Sequence, residues 1–184
     1  MQEFKDIIIK LLDKSSFVPA ENINRTNLPV VTGLYCIKVI DMNNSGFQGE
    51  FQKKFMEHKN PIIYIGKSDS STLKERLFQE LRAEKHGTFF RSLGAVLGYL
   101  PPKGSLKMKK NKRNYKFSKT DELSIISWID TYLEVSWVEV KSNIGEIEKE
   151  LIKLHTPLLN IIHNPSRLQF LSDVRKNCRE FAKS

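Results

Sequence analysis

Tyr35 closes the tripeptide Gly33-Leu34-Tyr35, and Tyr64 opens Tyr64-Ile65-Gly66, each on a short apolar run that reads as a strand. Arg76 follows in a helix pattern, Glu148 in a later one, and Asn160 lies beyond it. Phenols, a guanidinium, a carboxylate and an amide form a set suited to metal-assisted attack on a phosphodiester. A carboxylate can hold a hard cation, a guanidinium can steady phosphate charge, and a phenol can orient water.

Each residue also has an ordinary explanation. Strand tyrosines are commonly half-buried aromatics with tethered hydroxyls. Arg76 flanks the stripe Leu73-Leu77-Leu81 and fits a snorkelling surface arginine. Glu148 flanks Ile144-Ile147-Leu151-Leu154, and helical spacing does not choose it over Glu146 or Glu150, which can pair with Lys149 and Lys153.

The elements that must position these groups can be read from periodicity. Apolar residues at helical spacing predict a leading helix over 3–14, followed by a Pro- and Asn-containing loop over 15–31. Strands are expected at Leu34–Ile40 and Ile62–Gly66, with residues 47–59 as a short polar helix or a hairpin excursion. Alternation places Leu34 and Cys36 on one face and Tyr35 and Ile37 on the other, and sets Tyr64 beside Ile62. Helices follow from the Ser68–Thr72 start signals to Ala83, from a Thr88 cap through Leu97, and over Asp121–Tyr132. Leu133–Val140 reads as a strand with an exposed face, 144–154 as a helix, Leu158–Ile161 as an extended run, and 167–182 as a basic closing helix. A hairpin followed mostly by helices points to α+β, a small, mostly antiparallel sheet flanked by helices.

Lysine and arginine exceed aspartate and glutamate, giving a net charge of +9, which favours polyanionic partners. Residues 99–119 concentrate this charge in Lys103, Lys107, Lys109, Lys110, Lys112, Arg113, Lys116 and Lys119, with no acid among them. A charge run is by default a solvated loop; if the residues above attack nucleic-acid phosphodiesters, this one, with Tyr115 and Phe117 interleaved, is expected to be a flexible clamp on the backbone. Arg167, Arg175, Lys176 and Arg179 extend that basic surface. Cys36 and Cys178 are far apart and read as reduced thiols. His58, His155 and His163 lack zinc-ligand spacing. With no signal-type core and no run of membrane-spanning length, a cytoplasmic protein without membrane association is expected.

Gly33-Leu34-Tyr35, Tyr64-Ile65-Gly66-Lys67, Leu73-Lys74-Glu75-Arg76-Leu77 and Glu148-x-x-Leu151-Ile152-Lys153-x-His155-x-Pro157-x-x-Asn160 together resemble the GIY-YIG nuclease superfamily. The resemblance covers roughly residues 32–164, with 1–31 and 165–184 as terminal extensions. It implies a DNA endonuclease serving restriction, phage defence, mobile-element biology or repair. It further implies one divalent ion, Mg²⁺ or Mn²⁺, with Glu148 as its sole protein ligand and no organic cofactor. Tyr64 would position or deprotonate the attacking water, aided by Lys67 and Arg76. Tyr35 would hydrogen-bond near the nucleophile, and Asn160 would hold a terminal strand. Double-strand cuts would come from a homodimer or from sequential nicking.

The chain departs from the family pattern in two places. Residues 41–60 form an insertion between the tripeptides, and Glu80 stands where many members carry His or Tyr. Glu80 would either alter the site's electrostatics or face solvent, and His86 could supply an imidazole instead. A nucleic-acid-binding module with a decayed nuclease site is the rival reading.

Overall fold

The computed structural model describes residues 2–184, with side chains from residue 4 onward. Its elements, in chain order, are α1 (Gln2–Leu12), β1 (Val18–Pro19), β2 (Gly33–Val39), α2 (Gly49–His58), β3 (Ile62–Ser68), α3 (Leu73–Leu81) and α4 (Thr88–Val96). There follow α5 (Lys119–Tyr132), β4 (Leu133–Glu139), α6 (Ile144–His155) and α7 (Gln169–Lys183). The strands form one antiparallel sheet in the order β1-β4-β2-β3. The α+β expectation holds. No helix among the described residues is long and apolar enough to cross a membrane.

The alternation along β2 divides the molecule. Leu34 and Cys36 point into a core closed by Ile7 and Leu11 of α1 and by Ile144, Leu151 and Ile152 of α6. Tyr35 and Ile37 point into a larger core shared with α2, α3, α4, α5 and α7. The assignment of β2 faces is therefore borne out, but that of β3 is not. A β-bulge at Ile37/Lys38 opposes Ile37 to Tyr64 and Lys38 to Ile62. The extra residue, Ile63, reverses the alternation. Ile63 and Tyr64 then share the larger core while Ile62 joins the smaller one.

Other differences trace to tertiary contacts. β4 is a central strand between β1 and β2 rather than one with an exposed face, because α1 packs across it. α5 starts at Lys119, two residues early, because Ser118 accepts from the Asp121 N–H and caps it. α3 stops at Leu81, and Ala83 and Lys85 turn the chain with positive φ. Residues 158–159 form a turn and 160–161 are irregular, so no extended run is present there.

The insertion is helical and joins the core. Phe47, Phe51 and Phe55 pack together, and Phe47 lies 4.9 Å from the Trp128 ring of α5. Trp128 donates its indole N–H to the Gly46 carbonyl. The basic stretch 99–119 is likewise docked rather than free. Leu106, Tyr115 and Phe117 are buried, and the Gly104 and Leu106 N–H groups donate to carbonyls of Phe181 and Ala182 at the end of α7. Its eight basic side chains are exposed, so apolar anchoring and display of charge occur in one segment.

That packing sets an expected stability pattern. Phe117→Ala should lower the unfolding free energy by about 3–5 kcal/mol in urea denaturation. Lys109→Ala, a few residues away and exposed, should change it by less than about 0.5 kcal/mol. Equal, small effects at both positions would show that the strap is not packed as described.

Candidate active site

The two tyrosines meet because of register. Tyr35 lies opposite Gly66, and Tyr64 opposite Ile37, so they are diagonal neighbours on one face. Their rings stack with centroids 6.2 Å apart and planes inclined at 30°. Gly66 is required by this crossing, since a Cβ there would sit 2.3 Å from the Tyr35 hydroxyl. Gly33 has a parallel role: its Cβ would fall 2.1 Å from the Val138 carbonyl oxygen in β4. Each glycine of the two tripeptides thus permits a close approach across the sheet.

Tyr35 is fully buried, and its hydroxyl is engaged by the protein. Arg76 Nε donates to it over 3.3 Å, and it donates to Glu80 Oε1 over 3.3 Å. Burial, followed by the Glu80 charge, pushes its ionisation well above the usual phenol range. It is a neutral strut that braces Arg76.

Glu80 does not face solvent. Its carboxylate is wholly buried and pairs with the Arg76 guanidinium at 2.7 Å, one helical turn back along α3. Its second oxygen accepts from the Phe89 N–H at 2.7 Å and the Phe90 N–H at 3.4 Å. Those groups open α4, so Glu80 caps that helix from outside and complements its dipole. Gly87, not Thr88, is the residue at the cap position and, having no side chain, cannot cap the helix itself. A Cβ on Gly87 would lie 2.6 Å from Glu80 Oε2. For Arg76, burial opposes the charge, but Tyr35 and Glu80 outweigh it and hold the guanidinium protonated.

Tyr64, Lys67, Glu148 and Asn160 line one cleft of about 840 Å³. Lys67, the last residue but one of β3, bonds Asp69 Oδ2 at 2.7 Å, with Glu148 Oε2 at 3.9 Å. Glu148 comes one helical step after Gly145, whose missing side chain leaves room for the Lys67 amine. Burial raises the Glu148 carboxyl to about 7, with Lys67 opposing and Asp69 adding to the rise. Burial also raises Tyr64, reinforced by Glu80, while Arg76 opposes. Asn160 ties down the outer edge of the sheet: Ile65 N–H donates to its Oδ1 at 2.9 Å and its Nδ2 donates to the Ile65 carbonyl at 2.8 Å. The side-chain amide thereby replaces the terminal strand expected from the sequence.

Arg76 and Tyr35 stand behind this cleft wall, with Arg76 close enough to bias Tyr64 and Glu148. His86 is placed elsewhere, in a small hollow with Lys85 and Lys116. Of the basic strap, Arg113 reaches the cleft. The cleft also holds Arg91, Asn114 and Ser172, which the sequence reading did not single out. Asp69, the close partner of Lys67, lies in a bend where periodicity gives no signal. Arg91 carries one sequence signal, the only charge in a helix of otherwise uncharged residues.

The donor set fits one hard divalent cation. No group of three or more His, Cys, Asp or Glu side chains converges among the described residues, so water and phosphate oxygens would complete the shell. Glu148, raised by burial and paired with Lys67 only at 3.9 Å, is a carboxylate whose ionised form a bound cation would favour.

Residues 33–180 match the GIY-YIG catalytic domain family. The chain therefore belongs to that family and is a GIY-YIG-type endonuclease, with nucleic acid as its substrate. GIY-YIG nucleases generally depend on a divalent metal. No curated protein and no solved structure matches the chain.

Two measurements check the site. Between about pH 4.5 and 7 the folded state holds the Glu148 proton more tightly than the unfolded state, so stability should fall as pH rises through that window. In EDTA the loss should reach at most about 3 kcal/mol, and Glu148→Gln should flatten that part of the curve. A wild-type curve indistinguishable from that of Glu148→Gln would contradict the burial of this carboxylate. Glu80→Ala should cost about 3–5 kcal/mol in urea denaturation, since it strands Arg76 and uncaps α4. A loss below about 1 kcal/mol would be incompatible with the geometry.

Proposed function

We propose that the chain is a DNA endonuclease that hydrolyses phosphodiesters in this cleft with one divalent ion, Mg²⁺ or Mn²⁺, held by Glu148. The observation that carries this reading is the convergence of Tyr64, Lys67 and Glu148 on a cleft whose other charged walls are arginines. When bound, the ion would supply Lewis-acid polarisation of the phosphate and acidify its water. The buried, free thiols of Cys36 and Cys178 suit a cytoplasmic enzyme.

The side chains divide the remaining tasks. Tyr64, a neutral phenol, hydrogen-bonds and aims the attacking water. Its use as a base would require extra positive charge nearby, because burial disfavours the phenolate. Lys67 balances Glu148 and Asp69 and offers an ammonium to a phosphate oxygen. Arg76, oriented by Tyr35 and Glu80, favours negative charge building on phosphorus. Asn160 keeps β3, and with it Tyr64 and Lys67, in register. As the water oxygen bonds to phosphorus in line with the breaking P–O bond it gives up a proton to solvent, and the leaving oxygen takes one up from solvent. The exposed strap lysines would hold the DNA backbone without reading its bases. With one such cleft per chain, double-strand cuts would need a second copy or a second visit.

The test incubates purified protein with supercoiled plasmid and labelled linear duplex. Wild type should cut with Mg²⁺ or Mn²⁺ and stop in EDTA. Glu148→Ala and Arg76→Ala should each lose at least about 100-fold in rate while retaining a folded circular-dichroism spectrum. Cutting by Glu148→Ala at the wild-type rate would sink the assignment. So would a wild type that cuts RNA but no form of DNA.

A further inference from the structure

Two arginines in the cleft have no role in the reaction described above, and both are under-bonded. Arg91 projects from α4 and is only 8% exposed. One guanidinium nitrogen donates to Asn114 Oδ1 at 2.9 Å, and its plane lies 6.0 Å from the centre of the Tyr115 ring. Arg175 projects from α7, the helix packed along α4, and donates to Ser92 Oγ at 3.0 Å. The Nε–H of each is buried without an acceptor. Neither arginine takes part in an ion pair among the described residues.

Buried guanidinium groups are ordinarily matched by carboxylates. Here the neighbouring charge has the same sign: burial first, then Arg175, lowers the affinity of Arg91 for its proton. Arg113 and Arg179 add further positive charge to the same walls, and among the described residues Glu148 is the one carboxylate lining the cleft. Such a set repels itself until an anion enters. Two forked guanidinium groups, with the Ser172 hydroxyl in the same wall, suit the tetrahedral oxygens of a phosphate. The subsite adjoins the reacting centre, since Arg175 is near enough to Tyr64 to favour its phenolate.

We propose that Arg91 and Arg175 form a phosphate subsite, which grips a backbone phosphate of the nucleic acid beside the one that is cut. This rests on reading the cleft as the nuclease site. α4 and α7 carry none of the groups assigned to the chemistry, so the subsite sets the position of the strand rather than the bond-breaking step.

The experiment measures fluorescence anisotropy of a labelled DNA duplex with the full chain in EDTA, over a series of salt concentrations. Arg175→Gln should weaken binding about 10-fold and reduce the salt slope of log K by about 0.9, as expected for one lost phosphate contact. Lys10→Gln, an exposed site in the last turn of α1 and away from the cleft, should shift binding less than about 2-fold. Arg91→Gln should weaken binding in the same way, and Arg175→Gln alone carries the test if that variant fails to fold. Inorganic phosphate at matched ionic strength should displace DNA from wild type more than chloride does, and this excess should vanish in Arg175→Gln. Unchanged affinity and slope in Arg175→Gln, an equal loss in Lys10→Gln, or identical competition by phosphate in both proteins would each overturn the subsite. Cleavage assays separate the two ideas. If wild type cuts while Arg175→Gln binds normally, only the subsite falls. If binding changes as expected but no DNA is ever cut, only the nuclease reading falls.

Discussion

The buried carboxylate of Glu80 is the constraint on which the site depends. It touches a strand through Tyr35, its own helix through Arg76, and the start of the next helix through the N–H groups of Phe89 and Phe90. A carboxylate without water must be matched by donors, and here all of them come from elements that frame the cleft. Arg76 is consequently held in one orientation, and α4 starts where its own side chain, Arg91, reaches the cleft. Loss of this one acid would release groups on three elements at once.

Around that point the sheet is built for close approach. Gly33 and Gly66 remove side chains where β4 and the Tyr35 ring must pass, and Asn160 supplies amide hydrogen bonds to the outer edge of β3. An unpaired edge is prone to slip or to recruit another strand, and a side-chain amide prevents both at one residue pair. Because Tyr64 and Lys67 flank Ile65, pinning this residue pins them.

The electrostatics show a cleft whose acidic groups resist ionisation in the free protein. Burial raises both Glu148 and Tyr64, and the nearest ammonium is shared with Asp69. Added positive charge would favour the ionised form of each, which ties proton release to cation and substrate chemistry. On the far wall the imbalance is reversed, with guanidinium groups lacking carboxylates. A polyanion accompanied by a divalent cation answers both halves. The insertion plays no part in this balance: its phenylalanines pack on Trp128, thickening the core behind the sheet.

The sequence by itself determined most of the helices and three of the strands, the faces of β2 and the identity of the residues worth watching; β1, inside an expected loop, exists only through its pairing with β4. Periodicity is a local property, and the order of the family's segments along the chain is readable without coordinates. It did not determine the bulge that turns Tyr64 away from Ile62, the central place of β4, or the anchoring of the basic strap. Those depend on contacts between residues distant along the chain, such as α1 over β4 and Leu106 against the end of α7. Glu80 is the clearest case. In sequence it is one more acid on a helix, equally suited to solvent. Only the tertiary structure, by removing water and surrounding the carboxylate with Arg76, Tyr35 and the start of α4, decided that it braces the site.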